Sequence, residues 1–168
     1  MKFQLKAIKF YESMSEETNC FQGKLYINNK YVADVKNDGQ GGNTWVRGID
    51  KVSNEIIAEA EKYLSMQPKK KSDMYDFEYI RTIESEVDDL FGDWLQVKED
   101  IKFNKQMDKG IMYGTKYCYQ MIYWKNISIT AMLNNPTGKA RLIQVVKDLK
   151  AKGKTILNTN LPDDVMGK

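Results

Sequence analysis

Residues 23–46, GKLYINNKYVADVKNDGQGGNTWV, leave the backbone few choices. Leu25–Ile27 and Tyr31–Val35 are short strand-forming runs separated by Asn28-Asn29. Asparagine is among the residues that best tolerate the positive φ of a two-residue hairpin turn, so the segment predicts an antiparallel hairpin. Behind it, the polar loop Asn37-Asp38-Gly39-Gln40-Gly41-Gly42-Asn43-Thr44 leads into a third run, Thr44–Val46, carrying Trp45. A chain with this centre builds a small antiparallel sheet, and its neighbours must cover that sheet.

The flanking segments supply the cover. Lys2–Tyr11 alternates apolar and polar residues at Phe3, Leu5 and Ala7, which predicts a half-buried strand beside the hairpin. Ile49–Ser65 is the clearest helix: Ile49, Val52, Ile56, Ile57, Ala60, Tyr63 and Leu64 recur on one face, with Lys51, Glu55, Glu59 and Lys62 opposite. Met66–Ser72, with Pro68 and three lysines, breaks the pattern and is the expected boundary between subdomains. A second, acidic helix is expected from about Asp73 to Phe91, capped by Ser72 or Asp73, with Phe77, Ile80, Ile83, Val87, Leu90 and Phe91 inward. Trp94 and Leu95 extend that stripe if the helix tolerates Gly92, while Val97–Met107 carries only a weak helical pattern.

From Gly110 the texture turns to strands at Ile111–Tyr113, Lys116–Trp124 and Ile127–Leu133. Asn134–Gly138 is a turn that opens a helix over Lys139–Lys152, which Gly153 stops, and Thr155–Leu157 is a last short strand. The expected fold class is α+β. It comprises an N-terminal antiparallel meander with a covering helix (residues 1–66), then a long acidic helix and a small antiparallel strand set with a C-terminal helix (residues 73–168).

Composition narrows the function classes. The chain is 42% hydrophobic and 29% charged, as folded proteins are, and no run approaches a membrane span. It contains no histidine, which removes the commonest general base and metal ligand and points away from an enzyme. Cys20 and Cys118 lie far apart, as reduced thiols of a cytoplasmic protein do. The net charge is only +3, yet residues 73–100 hold 2 basic and 10 acidic residues and residues 101–168 hold 12 basic and 4 acidic. Either these blocks face each other or one meets a charged partner.

Three candidate sites follow. Asn37, Asp38, Gly39, Gly41, Gly42 and Asn43 form a loop whose amides could converge on an anion, although the spacing matches no nucleotide fingerprint and Asp38-Gly39 is also a common turn. Glu84, Glu86, Asp88, Asp89 and Asp93 form an acidic face that could imitate a phosphate backbone toward a nucleic-acid-binding protein. Asp88, Asp89 and Asp93 followed by Lys98 faintly resemble a metal-dependent nuclease core, but sit on a helical segment where that core needs strands. In residues 101–168, lysines interleaved with Tyr113, Tyr117, Tyr119, Tyr123 and Trp124 would suit nucleic acid. Nothing calls for a cofactor or a metal, and Gly153-Lys154-Thr155 only ends like a P-loop, with Asp148 where its first glycine belongs.

The segments SEETNCF (Ser15–Phe21), LYINNK (Leu25–Lys30) and VKNDGQGG (Val35–Gly42) resemble a group of small, mostly uncharacterised phage and mobile-element proteins. The resemblance covers the first ~50 residues and carries no catalytic residue. It implies an accessory protein in the bacterial host's cytoplasm that blocks a host defence protein. The leading expectation is therefore a non-enzymatic inhibitor acting by steric or charge-mimicking occlusion. The alternatives are a sponge or sensor for a nucleotide-like anion at Asn37–Asn43, and a nucleic-acid-binding protein or metal-dependent nuclease.

Overall fold

Asn28 and Asn29 adopt φ of 49° and 67°. They close the hairpin between β2 (Phe21–Ile27) and β3 (Lys30–Asn37) as their side chains allow. With β1 (Phe3–Phe10) and β4 (Trp45–Gly48) they form an antiparallel sheet in the order β1-β2-β3-β4. The structure is a computed structural model that describes residues 1–71 and 76–167. By its contacts the chain divides into two units, Met1–Gln96 and Val97–Lys168.

Period-two alternation sorts the first unit's sheet into two faces. Phe21, Leu25 and Ile27 of β2 and Ala33 and Val35 of β3 point into a core shared with Ala60, Leu64, Val87 and Phe91. The helix α1 (Lys51–Ser65) supplies Ala60 and Leu64, and its N-cap Asp50 accepts a hydrogen bond from Ser53 N at 2.7 Å. Ile56, Ile57 and Tyr63 pack on this core as the periodicity predicts, but Ile49 and Val52 remain exposed. Ile49 precedes the cap and Val52 lies in the first turn, where the face has not yet rotated onto the sheet.

The second helix differs from its expectation. Residues 72–75, including the expected caps Ser72 and Asp73, lie outside the described residues. Lys70–Lys71 (β5) and Glu78–Tyr79 (β6) pair as a small antiparallel ladder, and α2 runs from Ile83 to Met107. Phe77 and Ile80, expected in the core stripe, precede the helix and are exposed. The start is fixed by a reciprocal cap: Thr82 Oγ1 accepts from Ser85 N (3.2 Å) and Ser85 Oγ accepts from Thr82 N (3.0 Å). Glu61 of α1 accepts from Ile83 N at 2.8 Å, satisfying another first-turn donor. Within the helix Ile83, Val87 and Phe91 lie in the core and Trp94 and Leu95 pack against it, whereas Leu90, also expected inward, is half-buried and lines a surface depression. Phe91 stacks on Phe21 with ring centroids 4.0 Å apart. The division between units falls inside α2, beyond the 66–72 segment where the sequence suggested a boundary.

The second unit pairs β7 (Gly110–Gly114) with β8 (Tyr119–Tyr123), and Ile156 bridges to Tyr113. The strand expected at Ile127–Leu133 is instead a bridge at Ile127 followed by the short helix α3 (Ile129–Leu133). Capping overrides β propensity there. Ser128 Oγ accepts from Ala131 N at 3.1 Å, and Asp108 Oδ1 accepts from Thr130 N at 2.9 Å. Those Thr130 bonds hold the Asp108 carboxyl below the usual carboxylate range. Asn135 caps α4 (Pro136–Ala151), Gly153 ends it at φ 67°, and α5 (Asp163–Met166) follows. Ile111, Ile129, Leu142, Val146 and Val165 form this unit's core. Asn158, buried, stitches it by accepting from Met112 N (2.6 Å) and donating to Met107 O (2.9 Å) and Gly110 O (3.0 Å).

Candidate functional site

Asn37 ends β3 with its side chain turned inward, and the loop that follows is built on it. Its Oδ1 accepts from Thr18 Oγ1 and Gly39 N, both at 2.9 Å. Its Nδ2 donates to Gly42 O at 3.2 Å and Thr44 Oγ1 at 3.0 Å. The network then leaves the loop in two directions. Thr18 Oγ1 accepts from Gly41 N at 3.2 Å, and Thr44 Oγ1 donates to Asp88 Oδ1 on α2 at 2.5 Å. Every polar atom of the Asn37 amide is therefore used, which fixes the loop against both the 16–18 segment and α2.

The glycines belong to the same construction. Gly39 sits at φ 84°, its carbonyl accepts from the amides of Glu16, Glu17 and Thr18, and a Cβ there would lie 2.3 Å from Met14 O. Gly41, at φ 82°, would press a Cβ to within 2.3 Å of Glu17 Oε2. Asp38 is exposed at the turn, and Gly42 and Asn43 are exposed.

A depression of about 500 Å³ opens beside this loop, walled by Thr18, Asn37, Gly41, Gly42, Asn43 and Thr44 on one side and by Glu84, Asp88, Phe91 and Gly92 on the other. Its charged lining residues are Glu17, Glu84 and Asp88, with no cation among them. Burial raises the Asp88 carboxyl pKa, Asp89 adds to the rise, and the Thr44 hydrogen bond opposes both. This surrounding favours a cation over an anion, because carboxylates line the walls and the Gly39 and Gly41 amides already donate to Asn37 and Thr18.

The five acidic positions of the expected helix face fall in different settings. Glu86 pairs with Arg81, and Asp89 with Lys70 at 2.5 Å. Glu84 and Asp88 face the depression, and Asp93 is exposed on a neighbouring depression that also touches Asp88 and Gly92. Gly92 lies where the two depressions meet, and a Cβ built there would find nothing within 4 Å. Among the described residues no group of three or more His, Cys, Asp or Glu side chains is arranged to hold a metal ion.

The other face of the four-stranded sheet went unnoticed in the sequence. The register places Lys9, Gln22, Lys36 and Trp45 in one row across it, then Lys6, Lys24, Asp34 and Arg47, then Gln4, Tyr26 and Tyr31. Trp45 is 73% exposed. The Tyr31 hydroxyl donates to Asp34 Oδ1 at 2.6 Å, which pushes its pKa up to about 12. The outward positions Gln22-x-Lys24-x-Tyr26 and Asp34-x-Lys36 were readable, but their alignment depends on bulges at Ala7–Ile8 and Val32 that composition does not reveal.

No family model, curated protein or solved structure matches this chain. Among the described residues no helix is long and apolar enough to cross a membrane.

Proposed function

We propose that this protein is a non-enzymatic binding protein that occludes a basic surface of a host protein through the depression between the Asn37 loop and α2. The observation that carries it is the lining: Glu17, Glu84 and Asp88 line this cleft with no cation among its lining residues, while Lys70 and Arg81 on the neighbouring depression are paired with Asp89 and Glu86. An arginine or lysine side chain from a partner would supply the missing charge, and charge-assisted bonds to carboxylates are among the stronger ones. Gly92 supports the same reading. An exposed glycine inside a helix costs about 1 kcal/mol relative to alanine, and here no neighbour requires it. A bare spot on the helix lets a partner's backbone approach closely beside the carboxylates.

Basic surfaces of that kind belong to proteins that handle nucleic acid, and a carboxylate cluster can stand in for their phosphates. The resemblance of residues 15–42 to phage and mobile-element proteins is what suggests a bacterial host protein, a defence protein being the expected target. The test is affinity capture from host lysate with the tagged full chain and with Glu84→Lys/Asp93→Lys. A basic protein held stoichiometrically by the wild type and released by the variant, through Glu84 in the cleft and Asp93 on the depression that adjoins it at Gly92, is the expected result. Equal capture by the folded variant would overturn the assignment of this surface.

A further inference from the structure

We infer that the open face of the four-stranded sheet is a second binding site, for single-stranded nucleic acid. Lys6, Lys9, Lys24, Lys36 and Arg47 stand on this face against a single acidic residue, Asp34. Among the described residues none of the five forms an ion pair, whereas Lys70, Lys71, Arg81, Lys116 and Lys139 elsewhere do. Lys6 lies directly across from Lys24, and Asp34 on the other side of Lys24 offsets only one of the charges in that row, so the face keeps a clear excess of positive charge.

The aromatics on the face decide the class of polyanion. Trp45 sits beside Lys36 in the register and is 73% exposed, with Tyr26 and Tyr31 two rows away. Lys6 Nζ lies 4.4 Å from the Tyr26 ring centroid and Lys24 Nζ lies 4.9 Å from that of Tyr31, so cations and ring faces are already interleaved. A shallow depression of about 620 Å³ runs across the middle of the face, touching Lys9, Lys24, Lys36, Trp45 and Arg47. Bases unstacked from one another can lie on such rings while their phosphates meet the lysines. A duplex, whose bases are stacked internally, offers only its phosphates. An acidic protein would meet the charges but has no use for an exposed indole between them.

The site is separate from the carboxylate-lined cleft and does not depend on the reading given for it. The experiment is fluorescence anisotropy of the full chain with labelled oligo-dT and oligo-rU at low and moderate salt. Binding is expected to weaken with salt at about 0.7 log units per log unit for each phosphate neutralised. Lys24→Ala/Lys36→Ala/Arg47→Ala is expected to lower that slope by about 2 and the affinity by roughly 30-fold or more. Trp45→Ala, which leaves the charge unchanged, is expected to weaken binding about tenfold, with Trp45→Phe recovering most of it. Both exposed sets should leave the circular dichroism spectrum intact, and Trp45→Ala stands as the second variant if the triple one fails to fold. Three results would overturn the inference. One is no binding to about 100 μM protein at low salt. Another is full binding by both Trp45→Ala and the triple variant, which would move the contact to residues 101–168. The third is equal competition by duplex DNA or polyglutamate.

Discussion

Asn37 is the residue on which the loop beside the carboxylate-lined cleft is built. Its amide holds four partners, and two of those bonds, to Gly39 N and Thr44 Oγ1, are buried. Asn37→Ala should therefore destabilise the protein by about 3 kcal/mol, read from chemical denaturation, since several buried groups lose their partner at once. Asp88 makes a prediction with a sign. Its carboxyl pKa is raised in the folded chain, so the folded state favours the protonated form. The stability linked to it is full below the unfolded carboxylate pKa and is lost as pH rises through the raised folded value. Asp88→Asn keeps an acceptor for Thr44 and should raise stability at neutral pH while flattening this dependence, as thermal melts across pH would show. Asp50 and Asp108 act oppositely. Hydrogen bonds from Ser53 and Thr130 lower their pKa values, so their contribution is present above the unfolded pKa and lost as pH falls through the folded one.

At the scale of elements, the legible parts were those whose chemistry is local. The Asn28-Asn29 turn, the amphipathic face of α1 and the Gly153 stop each follow from residue types within a few positions. The misread parts turned on competition between local signals. Phe77 and Ile80 lie at helical spacing from Ile83, but the Thr82–Ser85 cap starts the helix after them. Ile127–Leu133 has strand-forming residues, yet Ser128 and Asp108 capture the amides of a helical turn. Of the site itself, the loop was visible in its glycines, whereas its tie to α2 through Thr44 and Asp88 spans 44 positions and needed the fold. Helix α2 also carries a test that separates stability from function. Gly92→Ala should stabilise the chain by about 1 kcal/mol while weakening partner capture. Thr82→Ala, at the cap, should cost about 1 kcal/mol and leave capture unchanged.

At the scale of the whole molecule, two units with separate cores divide the work of stability. The first carries both a carboxylate-lined cleft and, on its sheet, a face rich in lysine and aromatic residues. Asn158 anchors the second core as Asn37 anchors the loop. Asn158→Ala should lower the hydrogen-exchange protection of β7 and α4 by roughly a hundredfold, an opening cost of about 3 kcal/mol. Protection in β2 and β3 should change far less.

The central claim is that the cleft beside Asn37 receives a cationic side chain. It is tested most directly by titrating the isotope-labelled full chain with a short arginine-rich peptide and following backbone amide resonances. Saturable shifts are expected at Gly41, Gly42, Thr44 and Gly92, and they should vanish in Glu17→Lys/Glu84→Lys. Shifts that bypass these amides, or that survive the double charge reversal, would contradict the claim.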